Sequence, residues 1–107
     1  MRTVEELELR AAVQIALLGM ISSDIRAISF DFVQAQGLLR FRVHFSGSPH
    51  EIALENMSSV LTEVDAGITF LSRIEEEYLI APLPTKPECL SKVIYMRCES
   101  PDFLPPA

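Results

Sequence analysis

Tryptophan is absent from this 107-residue chain, and only two cysteines and four glycines are present. Each scarcity removes a class of protein. Cys89 and Cys98 could close one bridge, but a fold stapled by disulfides carries more, so two reduced thiols are expected. With so little glycine there is no P-loop, no G-x-G-x-x-G turn and no G-x-S-x-G elbow. The longest apolar run, AAVQIALLGMI, is too short to span a bilayer and contains a glutamine, so no membrane role is expected. The opening MRTVEELELR sets acids where a secretory signal places bases, and a cytoplasmic location is expected. Positive charge is short as well. Nine basic against fifteen acidic side chains leave a net charge of −6, which repels phosphate backbones and argues against direct nucleic-acid binding. The same field would draw in a basic protein partner.

What the chain does contain is a regular pattern. Its 49% apolar and 22% charged residues suit one globular domain, residues 1–100, followed by a proline-rich tail, 101–107. Thr3 and Glu6 have capping-box spacing ahead of a first helix that runs towards Gly19. Val4, Leu7, Ala11, Ile15 and Leu18 make its apolar stripe. Leu9, Ala12, Val13, Ala16 and Leu17 widen the stripe until burial on much of the circumference is expected. IRAISFDFV and LLRFRVHF then alternate around the AQG turn, a hairpin with Ile28, Phe30, Phe41 and Phe45 on one face and Arg40, Arg42 and His44 on the other. In SGSPHE, Ser48, Pro49 and Glu51 predict a second capping box. The helix that follows has a stripe of Ile52, Ala53, Met57, Val60, Leu61 and Val64, and Gly67 is its expected stop. Opposite runs a polar line of Glu51, Glu55, Ser58, Thr62 and Asp65. FLSRIEEEYLIA and KVIYMRCE read as the last two strands. The expected fold is α+β in the order α-β-β-α-β-β, two helices on one face of a four-stranded, mainly antiparallel sheet. Two αββ halves could also reflect a duplication.

Chemistry is sparse. His44, His50, Cys89 and Cys98 lack close metal-ligand spacing, and neither a metal nor an organic cofactor is expected. Cys98 alternates with Ile94 and Met96 and should be packed and inert. Three adjacent glutamates in a strand, Glu75, Glu76 and Glu77, are the most unusual feature. Glu75 and Glu77 could pair with Arg40, Arg42 or Arg97 across a solvated face, while Glu76 would point towards the helices and must escape or find a partner. A catalytic carboxylate pair would need a second cluster and a cleft, and nothing else in the chain supplies them. Surface recognition remains.

The segments ALLGMISSDIRAISFDF, LLRFRVHFSGSPHEIALENMSSVLTEV, IEEEYLIAPLP and KVIYMRCE together resemble immunity proteins encoded beside contact-dependent inhibition and related polymorphic toxins. The resemblance runs from Leu7 to Glu99. It implies a non-catalytic protein that binds the C-terminal domain of a cognate toxin, often a nuclease, and blocks its active site or substrate path. No fixed family motif assigns the contacts. The exposed acids Glu51, Glu55, Glu63, Asp65, Glu75, Glu76 and Glu77 are the candidates. The alternative is a small acidic homodimeric adaptor or secretion chaperone.

Overall fold

The computed structural model describes residues 4–99; Thr3 and the tail 101–107 lie outside the described residues. Helix α1 (Val4–Ala16) leads into strand β1 (Ile25–Val33), a 3₁₀ turn at 34–36 and strand β2 (Leu38–Phe45). Helix α2 (Glu51–Gly67), strand β3 (Arg73–Ile80) and strand β4 (Lys92–Met96) complete the expected order. The sheet runs β3-β2-β1-β4, antiparallel at β1–β2 and β1–β4 and parallel at β2–β3. Both helices pack on the face built from Ile28, Phe30, Leu39, Phe41, Val43 and Phe45. The two halves are not equivalent. β1 and β2 form a hairpin, whereas β3 and β4 lie on opposite edges of the sheet.

α1 settles on the second of its two apolar faces. Leu9, Val13, Ala16 and Leu17 are buried, while Val4, Leu7, Ile15 and Leu18 are 81, 49, 67 and 78% exposed. The expected stripe therefore faces outward, because the sheet covers only one side of this helix and no second layer covers the other among the described residues. α2 behaves as read except at its ends. Ala53, Met57, Val60, Leu61 and Val64 are buried, but Ile52 is 70% exposed at the first turn. His50, not Ser48, is the N-cap residue, and it makes no side-chain cap bond. Gly67 stays helical and Ile68 closes the helix in an extended conformation.

The face opposite the helices is not open. Residues 81–91 connect β3 to β4 by crossing over β2 and β1. Leu90 N donates to Ser29 Oγ at 2.9 Å, Arg42 Nη1 donates to Glu88 O at 2.8 Å, and Ser91 donates to Asp31. The small side chains of Ala27 and Ser29 let this strap lie close, and both residues are fully buried. Arg26 fixes the start of the strap by donating to Ala81 O and Thr85 O.

Gly37 joins the hairpin turn to the connection that enters β3. Its φ of +59° is left-handed, and an added Cβ would meet Ser72 Oγ at 2.7 Å and Phe70 O at 2.9 Å. Gly37→Ala combines backbone strain with that clash and should cost about 1–3 kcal/mol, lowering Tm by roughly 5–15 °C. Gly47→Ala, with nothing near the added Cβ, is the control and should melt as the parent does. Equal melting of the two variants would contradict this account.

Candidate functional site

The candidate acids come together on the side of the molecule where α2 flanks β3. α2 is amphipathic, so burying its apolar stripe turns Glu51, Glu55, Ser58, Thr62, Glu63 and Asp65 to solvent. β3 pairs with β2 in a register that sets Arg40 beside Glu75 and Arg42 beside Glu77. Arg42 Nε donates to Glu77 at 2.5 Å, Arg73 Nη2 donates to Glu75 at 2.9 Å, and Arg40 Nε stands 3.8 Å from Glu75. These cross-strand pairs match the expectation for Arg40 and Arg42. Arg97 instead serves Glu99. The pairs are exposed and individually weak, and they offset the charge of two of the three glutamates.

Glu76 points to the helix side, as its place in the alternation required, but β3 is an edge strand and the carboxylate stays in solvent. Tyr78 OH donates to it at 2.6 Å. Burial of Tyr78 and this hydrogen bond push the phenol well above its ordinary range, so the hydroxyl remains a donor.

Three depressions connect six of the seven candidates. A cleft of about 280 Å³ between α2 and β3 includes Ser58, Thr62, Asp65, Arg73 and Glu76. Ser58 and Thr62 also border a shallow hollow on the crest of α2 that contains Glu55 and Glu63. Around the other side of β3, a cleft of about 380 Å³ is lined by Arg40, Glu75, Glu76, Glu77 and Leu90. Glu51 is exposed at the start of α2 but lines none of the three. Sequence reading missed Arg73 and Leu90, whose positions depend on strand order and on the strap.

Two other expectations change. Cys98 is exposed, because β4 ends at Met96 and the alternation that would have buried the thiol stops there. His44 does belong to the polar strand face, yet it is only 2% exposed. Its register neighbours are Ala27 and Leu79, and Nδ1 has no hydrogen-bond partner among the described residues. Burial, then the charges of Arg42 and Arg26, hold its pKa below the ordinary value, and Glu77 and Glu88 oppose them. The unfolded chain takes up this proton near pH 6.5, the folded chain only at lower pH. Stability should therefore fall as pH drops from about 7.5 to about 5.5, and His44→Leu should flatten that slope. Thermal melts across the window check this; parallel slopes for both chains would contradict it.

Among the described residues, no three His, Cys, Asp or Glu side chains are grouped to hold a metal. No helix among them is long and apolar enough to cross a membrane. The chain matches the family model described as MafI2 immunity protein over residues 6–99. It belongs to the MafI2 immunity protein family. A search of curated proteins finds no match. Membership makes toxin neutralisation the function at the coarse level, with a cognate toxin protein as the partner. Immunity proteins of the MafI2 kind are generally non-catalytic.

Proposed function

We propose that this chain neutralises its toxin by covering a cationic, substrate-binding surface, that of a nuclease domain, with the acidic face of α2 and β3. One observation carries the reading. Glu55, Glu63, Asp65 and Glu76 line one continuous exposed surface, and none has an ion-pair partner among the described residues. Unpaired carboxylates leave their field available to a partner, and a surface built for phosphates is the partner they fit. Glu75 and Glu77 extend this face with weaker net charge, and Glu51 adds to it at the helix start. Blocking needs no chemistry, only area and charge. The work would be done in the cytoplasm, against a toxin domain delivered by contact-dependent or related secretion.

Co-expression tests this reading. Growth should be restored when the chain is produced with its toxin, and the two should co-purify at low salt. Full toxicity in the presence of abundant folded protein would overturn it. The exposed α1 stripe of Val4, Leu7, Ile15 and Leu18 favours a second reading, the homodimeric adaptor. Sedimentation as a monomer at micromolar concentration would dismiss that reading.

A further inference from the structure

The two edges of the sheet are protected differently. β4 is five residues long, and its ladder with β1 is broken by a register shift. Short length and irregularity are the usual ways of blunting an edge. β3 has neither. It is eight residues long, contains no proline, and pairs with β2 without a shift from Arg73 to Ile80. Ala81 N donates to Phe45 O, and alternation along the strand then turns the N–H and C=O groups of Glu75, Glu77 and Leu79 towards β2. Those of Glu76, Tyr78 and Ile80 face outward, and among the described residues no strand lies beyond β3 to take them.

What guards the middle of β3 is its run of three glutamates. Antiparallel pairing of two copies centred on Glu76 would set Glu76 against Glu76 and Glu75 against Glu77, which is repulsive. A basic strand meets no such penalty. The clefts on either side of β3 would take the alternate side chains of an added strand. One side chain would enter beside Asp65 and Glu76, the next beside Glu75 and Glu77. Leu79 and Ile80, 36 and 56% exposed, offer an apolar end to the same track.

We propose that β3 accepts an extended, basic segment of the toxin domain as an added strand, held by main-chain hydrogen bonds to Glu76, Tyr78 and Ile80. This rests on the toxin-neutralising reading above and names how that surface is engaged. Main-chain pairing supplies affinity, and the carboxylates flanking β3 select Lys and Arg at alternate positions, most strongly beside Asp65 and Glu76, which have no ion-pair partner among the described residues.

Proline at position 76 separates edge pairing from charge alone. Its missing N–H faces away from β2, so no ladder bond within the chain is lost, and edge strands tolerate proline there. The probe is the cognate toxin domain, titrated against the parent chain, Glu76→Gln and Glu76→Pro. Glu76→Gln should weaken binding by less than about tenfold, and Glu76→Pro by about 100-fold or more, with both variants melting close to the parent. Amide exchange on the parent complex gives an answer that needs no variant to fold. The amides of Glu76, Tyr78 and Ile80 should become strongly protected on binding. Equal affinities for the two variants, or unprotected amides in a complex that does form, would overturn strand addition while leaving toxin binding intact. No complex with the parent chain would remove the underlying reading instead.

Discussion

Arg26→Ala is expected to destabilise the fold by about 3–5 kcal/mol, the largest single effect anticipated. Arg26 is 2% exposed and donates four hydrogen bonds through all three of its guanidinium nitrogens. Nε and Nη2 donate to the two oxygens of Glu99 at 2.7 Å, and Nη1 donates to Ala81 O at 2.6 Å and Thr85 O at 2.5 Å. One side chain on a central strand thus ties down the start of the strap and the segment after β4. Truncation leaves Glu99 with Arg97 alone and two strap carbonyls unserved. Urea denaturation measures the loss; an unfolding free energy unchanged within about 0.5 kcal/mol would show that the strap is held by other means. The hydrogen bond from Arg26, reinforced by Arg97, depresses Glu99 to about 2. Its contribution is complete above the unfolded value near 4.5 and is lost as pH falls towards 2. Glu99→Gln should remove that acid-side loss.

The second large effect concerns binding. Asp65→Lys together with Glu76→Lys should weaken toxin affinity on the order of 100-fold or more, because each change removes an attraction and adds a repulsion. Both carboxylates line the cleft between α2 and β3, and neither has a cation to lose. Folding stability should fall by no more than about 1.5 kcal/mol, the main loss being the hydrogen bond that Tyr78 OH donates to Glu76. Reversal of Glu75 and Glu77 is a poorer test, because it also leaves Arg40, Arg42 and Arg73 facing new positive charge. A titration of the double variant that matches the parent would place the toxin on another surface.

Periodicity carried the element order and the faces of the strands, because burying Phe30, Phe41 and Phe45 on one side leaves no choice for their neighbours. It also brought Arg40 and Arg42 opposite acids. It failed on α1, where both faces are apolar and only tertiary packing decides that Leu9 and Val13 go in and Ile15 stays out. It failed on Ser48 as well, since a good cap sequence does not force the helix to start there. Strand order was beyond its reach. Nothing local says that β3 lies beside β2 as a parallel edge, which is what keeps Glu76 in solvent and joins it to Asp65. Nor does any local pattern say that an eleven-residue stretch of loop, with Arg26 beneath it, would bury His44.

The central claim is that an anionic outer surface, unassisted by chemistry, recognises a basic toxin. Calorimetric titration of the parent chain with the isolated toxin domain, repeated from about 50 mM to about 500 mM salt, tests it most directly. The expected result is a one-to-one complex whose affinity falls steeply with added salt. A tight complex indifferent to salt, or none at low salt, would contradict it.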